Sequence, residues 1–185
     1  VVKGPLKNAL AFLDYDGDGS KDDNEPFVRT DSDGGYSIEG TAGNENATLV
    51  AIADELTTDK YSGPVSGITL KAPATAKVVS IASTIYQEAV EEAEVAGTEA
   101  PTVNDVAKLL GIDTDALGEG VDLLDFNPDA DATSAVSKSF ESASQQVASV
   151  LNTMAKVADA TGGDAVDGEA AFALGLKSVS KAITN

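Results

Sequence analysis

Asp14, Asp16 and Asp18 stand two residues apart, Gly19 follows them, and Ser20, Asp22 and Glu25 complete a twelve-residue stretch. Counted from Asp14, oxygen donors fall at positions 1, 3, 5, 7, 9 and 12, with the turn glycine at 6. That is the loop pattern which wraps a hard divalent cation, calcium above all, with Ser20 contributing its backbone carbonyl. Six carboxylates crowd into those twelve residues. At an effective dielectric near 20, two like charges about 4 Å apart repel by about 4 kcal/mol. The loop is therefore expected to order around a cation, not as a solvated acidic turn.

A second acidic cluster runs through Asp122, Asp125, Asn127, Asp129 and Asp131. The residues at 125, 127, 129 and 131 alternate, which on an extended stretch places their side chains on one side. Two readings stand open for them: a second calcium site, or carboxylates serving the dipole of a following helix. Asp31 and Asp33 allow either a third site or an Asx turn. Asp164 and Asp167 read as capping residues. Tyr61 lies on a polar stretch with Gly63 and Pro64, where its ring is either a lid over the core or a ligand contact.

Other chemistries have little to work with. The chain has no histidine and no cysteine, so it lacks the usual general base, the thiol nucleophile and any disulfide framework. Ser66 lies in Gly63-Pro-Val-Ser-Gly67, which has the wrong spacing for a nucleophile elbow. Paired carboxylates alone can cleave glycosides, yet each pair here has a cation or capping explanation. No enzyme is expected. Net charge is −19, from 31 acidic and 12 basic residues, and Arg29 is the only arginine. Nucleic acid and anionic membrane surfaces are disfavoured as partners, because phosphate binding needs a basic face. No apolar run approaches about 18 residues, so no membrane insertion is expected. The absence of cysteine together with a calcium brace fits an extracellular bacterial protein.

The elements that must position these residues divide at Ala72-Pro73. Residues 1–72 read as strands and turns: a run from Leu6 to Phe12, a strand at 26–30, a turn at 31–35 and resumed alternation over Tyr36, Ser37 and Ile38. Two more β-rich runs follow at 47–53 and 67–71, with a polar excursion at 54–66 between them. This half predicts a small antiparallel sandwich of about five strands. In residues 73–185, Val78, Ala82, Ile85 and Ala89 recur at helical spacing and predict a helix from Thr75 to Val95. Thr102 and Asp105 make a capping box for a short helix through Leu110. Residues 111–131 read as irregular. A long helix from Thr133 carries Val136, Phe140, Ala143, Val147, Val150, Met154 and Val157 as a core stripe, and Gly162-Gly163 stops it. A last helix from Glu169 carries Phe172, Leu176, Val179 and Ile183. Seventy residues of sandwich bury little on their own, so the bundle is expected to pack on one sheet. The fold class is α+β, as a single domain over 1–185. The opening Val-Val-Lys-Gly-Pro is expected to continue from a longer, multidomain chain, with this unit monomeric within it.

The segment Gly4-Pro-Leu-Lys-Asn-Ala9-Leu-Ala-Phe-Leu-Asp14, the loop after it, Glu25-Pro26, Thr30-Asp31 and Gly35-Tyr36 are similar to the calcium-braced B-type modules of bacterial surface adhesins. Those modules do not run on into an Ala-rich bundle. The whole layout resembles the peptide-binding domain of large type I-secreted RTX adhesins. That resemblance implies a bacterial cell-surface location and calcium-dependent capture of C-terminal peptide segments of host or microbial surface proteins, in cell attachment and biofilm. It also implies a calcium ion that meets the ligand's terminal carboxylate. Only Asp14, Asp16, Asp18, Ser20, Asp22 and Glu25 carry over by motif. The ligand pocket is expected near Asp122 to Asp131, with Asp125, Asn127 and Asp129 in contact and Tyr61 as a wall. The alternative is a structural extender module that calcium stiffens and that has no ligand of its own.

Overall fold

Pro5 cannot donate to a ladder, and it stands just before the first strand, not inside it. In the computed structural model, which describes residues 4–40, 42, 44, 46–117, 122–160, 174, 175, 178 and 179, β1 spans Leu6–Lys7. Asn8 then takes a left-handed backbone, φ 63°, a conformation that asparagine tolerates better than most residues. That bend carries the chain out of one sheet and into another. The remaining strands are β2 (Leu10–Asp14), β3 (Phe27–Arg29), β4 (Thr48–Ala53), β5 (Thr58–Asp59), β6 (Gly63–Pro64) and β7 (Ile68–Pro73). They form a three-stranded sheet in the order β1-β5-β6 and a four-stranded sheet in the order β3-β2-β4-β7. Every pairing is antiparallel.

The architecture is α+β, as the sequence predicts, with differences in detail. Seven short strands are described where about five were expected, because the polar excursion at 54–66 folds into β5 and β6. Tyr36, Ser37 and Ile38 alternate in sequence but form no strand. Instead the Tyr36 hydroxyl donates to the Ala76 and Lys77 carbonyls at 3.4 and 3.3 Å, and the ring packs beside Leu13, Leu49 and Ala72.

Register explains which face the helices cover. Ala11 pairs with Ala51, which pairs with Leu70, and Ala53 pairs with Ile68. Because side chains alternate along strands, these residues share one face. Ala51, Ala53, Ile68 and Leu70 belong to a buried core with Ile81, Ile85, Val106, Leu123, Phe140 and Ala148, so one hydrophobic interior joins sheet and helices.

The helices are α1 (Ile81–Ala96), α2 (Val103–Leu109) and α3 (Ala135–Ala160). Helix α1 starts at Ile81, not at Thr75. Ser80 caps it through a reciprocal box with Ser83, and the Lys77 and Val78 amides are held off helix by donating to the Leu124 carbonyl at 3.0 and 2.9 Å. Val78 therefore lies four residues before Ala82 without sharing its helix. The capping box of Thr102 and Asp105 opens α2 as expected. Two 3-10 turns, Thr114–Ala116 and Pro128–Asp131, punctuate the stretch read as irregular. Helix α3 begins two residues after Thr133, where the Ser134 hydroxyl accepts from the Ser137 amide at 3.1 Å. The side chains of Met154 and Val157, the stop at Gly162-Gly163, the caps at Asp164 and Asp167 and the last helix, apart from residues 174, 175, 178 and 179, lie outside the described residues. Val179 packs against the core.

β7 is an edge of the larger sheet, and exposed edges invite further pairing. Helix α1 closes it with side chains. The Thr84 hydroxyl accepts from the Lys71 amide at 2.9 Å, and the Ser83 hydroxyl donates to the Lys71 carbonyl at 2.8 Å. Lys71 itself sits between Glu88 and Glu91, at 2.9 and 3.0 Å. Burial opposes its charge, and the two carboxylates overcome that, so its ammonium is held above the ordinary lysine value.

Candidate metal loop and ligand cavity

β2 ends at Asp14, which begins the acidic loop. Asp14 is buried and accepts backbone N–H bonds from Gly17 and Gly19 at 2.7 and 2.9 Å. Both glycines have φ near 78°, a left-handed turn that a side chain opposes. Asp16 accepts from the Asp18 amide at 3.2 Å, and Asp18 accepts from the Ser20 amide at 2.6 Å. Glu25 is buried and reaches back, accepting from Tyr15 N–H and Asp22 N–H at 2.8 Å each. The loop is thus folded around its first and last carboxylates.

One oxygen each from Asp14, Asp16 and Asp18 lies within 4.8 Å of the others. Hard, oxygen-only donors at this spacing suit a divalent cation of the calcium type. Asp22 has its carboxyl pushed up, first by desolvation and then by Asp16, Asp18, Glu25 and Asp23. That is the electrostatic stress a bound cation relieves.

The second cluster is arranged differently from the alternating, extended stretch expected for it. Asn127 caps a 3-10 turn at Pro128–Asp131, which points successive side chains apart. Asp122 accepts from Leu124 N–H at 2.8 Å, Asn127 from Asp129 N–H at 3.0 Å, and Asp131 from Thr133 N–H and hydroxyl at 3.2 and 2.8 Å. Asp125 pairs with Lys77 at 2.6 Å, and Asp129 with Lys60 at 2.8 Å. These groups serve turns and lysines, and only the Asp14, Asp16 and Asp18 oxygens converge in the described residues. Asp31 accepts from Asp33 N–H and Gly35 N–H at 2.8 Å each, which is the Asx turn.

Tyr61 and Asp129, expected near one another, do meet. The Tyr61 hydroxyl donates to Asp129, whose carboxyl is held below the usual range by Lys60 and then by Tyr61. The Tyr61 ring lies so close to Gly4 that a side chain there would collide with it.

Gly4, Asn127 and Asp129 border a cavity of about 350 Å³. Its floor is the helix-covered face of the sheet, at Ala11, Ala51 and Leu70, and helix α3 closes it with Phe140, Glu141 and Ser144. The volume falls within the range of small-ligand pockets. The acidic loop hangs from the far end of β2, about 10 Å beyond Ala11 at ~3.3 Å per residue. Sequence reasoning missed the sheet floor, the α3 wall and the roles of Lys60 and Lys77. The one available signal was small residues, Ala9 just before β2 and Ala11 and Ala51 within strands, which leave space.

No family model matches this chain, and comparisons with curated proteins and with solved structures find no match. Among the described residues, no helix is long and apolar enough to cross a membrane.

Proposed function

We propose that this chain is a calcium-braced ligand-binding module of an extracellular bacterial adhesin, taking the C-terminal end of a target polypeptide into the cavity between sheet and α3. The observation that carries this reading is the cavity itself. It has an apolar floor, polar groups at its border and a volume of about 350 Å³, which suits a few side chains of an inserted peptide end. Calcium at Asp14, Asp16 and Asp18 braces β2, the strand that supplies Ala11 to the floor.

The separation along β2 favours a different partner for the terminal carboxylate than the cation loop. Lys77 lines the cavity, with its side chain 73% exposed and paired to Asp125. An exposed pair of this kind is worth about 0–1 kcal/mol, so exchange of Asp125 for a ligand carboxylate costs little. Binding here rests on shape and charge and needs no catalytic group.

The test is titration of matched peptides with free and amidated C-termini, followed by fluorescence anisotropy in excess calcium. Free-ended peptides are expected to bind and amidated ones not, with Lys77→Gln abolishing the difference. Equal binding of both forms overturns the reading. The extender alternative is favoured by the distance of the cation loop from the cavity. It wins if no peptide binds while calcium still raises the melting temperature.

A further inference from the structure

The charged groups around the cavity are unequal in sign. Asp33, Asp129 and Glu141 line it, against Lys77. Lys60, just outside, is engaged by Asp129 at 2.8 Å and by Asp33 at 3.7 Å, and Lys77 by Asp125 at 2.6 Å. Glu141 has no ion pair among the described residues. It projects from α3 three residues before Ser144, and that spacing puts the two on one helical face.

Ser144 adds a second observation. Its hydroxyl is shut from water and finds no hydrogen-bond partner, although the residue lines the cavity. A buried hydroxyl without a partner is disfavoured, and such groups in folded proteins call for an explanation. A ligand group that enters the cavity beside Ser144 can supply the missing partner. The wall of α3 then offers a carboxylate and a hydroxyl oxygen side by side, next to the Phe140 ring. A group with several N–H donors and a positive charge matches both, whereas an anionic group at this wall is repelled by Glu141. The net charge of −19 steers such cationic groups inward from a distance.

Resting on the reading of the cavity as the peptide site, we infer that the ligand carries a lysine or arginine beside its apolar terminal residue, and that Glu141 and Ser144 select it. The apolar residue fills the space over Ala11, Ala51 and Leu70, and the basic side chain reaches the α3 wall.

The experiment uses three labelled peptides with free C-termini, ending in leucine and identical except for lysine, glutamine or glutamate at the penultimate position. Anisotropy titrations in excess calcium are expected to rank lysine over glutamine over glutamate. The step from lysine to glutamine is about fivefold, which is ~1 kcal/mol. Glu141→Gln is expected to flatten the series and Glu141→Lys to invert it. The reversal is a gain for the glutamate peptide that a folding defect does not produce. Added salt should compress the preference. Equal affinities for all three peptides, or a lysine preference that survives Glu141→Gln, overturn this inference and leave the binding site standing. Failure of all three to bind overturns the inference together with the reading beneath it.

Discussion

The Tyr61 hydroxyl donates to the Asp129 carboxylate across 68 residues of chain, tying the β5–β6 hairpin to the turn that leads into α3. Lys60 grips the other oxygen of the same carboxylate at 2.8 Å, with its ammonium 5.6 Å from the Tyr61 ring centroid. Asp129 is thus held by two adjacent residues on one side of the cavity.

Tyr61→Phe is expected to keep the ring against Gly4 and to lose the hydroxyl bond. The turn at Pro128–Asp131 should then exchange its amide hydrogens faster and bind peptide more weakly, with little change in the rest of the chain. Lys60→Met should act in the same direction, and the double variant should exceed either one. Hydrogen exchange resolved at Asp129 and Ala130 checks this. Unchanged protection there in the double variant refutes the tie.

The acidic loop, read as a cation site, predicts a regional effect. Chelation, or Asp16→Ala, should loosen residues 1–72 before the helices, read as protease cleavage appearing first within the strand half. A cation at a hundred times its dissociation constant stabilises the folded state by ~2.7 kcal/mol, so melting temperature should rise with calcium concentration. Asp14→Asn should be the more damaging change. Asp14 is buried and accepts from both loop glycines, while Asp16 holds only its neighbour's amide.

Acid should act through Asp54. Its carboxylate meets the Arg29 guanidinium at 2.5 Å, and that bond, with help from the Leu56 amide and the Thr57 hydroxyl, lowers its pKa from 3.8 to about 2. A carboxyl whose folded value is depressed binds fewer protons folded than unfolded. Its contribution is therefore complete above about pH 4 and disappears as pH falls through about 2. Both side chains are about one-third exposed, so solvent screening limits the effect to on the order of 1 kcal/mol. Asp54→Asn should flatten the stability curve between those two pH values, measured by urea unfolding. An unchanged slope there removes Asp54 as the cause.

The extent to which sequence foretold this differs by feature, and the physics explains why. The fold of the acidic loop was legible because its determinants are local: glycine turns and alternating carboxylates fix the geometry within twelve residues. The Thr102 cap was legible for the same reason. The start of α1 was not, because Leu124, far along the chain, decides where Lys77 and Val78 direct their amides. The 125–131 alternation misled because Pro128 after a capping Asn127 favours a tight turn over an extended stretch. The cavity left only small residues such as Ala11 and Ala51 as a local trace, since it is space between a sheet and a helix distant in sequence.

That space provides the sharpest division between a binding module and a stalk extender. Ala51 lies on the cavity floor at the centre of β4, paired with Ala11 on one side and Leu70 on the other. In a filled core, Ala51→Leu overpacks and costs about 1–3 kcal/mol. In a real cavity the added carbons enter vacant volume, and each buried methylene contributes about 0.8 kcal/mol in favour of folding. The variant is therefore expected to melt at or above the parent temperature while losing peptide binding. Undiminished peptide affinity in this variant places the ligand elsewhere. A marked fall in melting temperature shows that the floor has no room, and the cavity then ceases to be a candidate site.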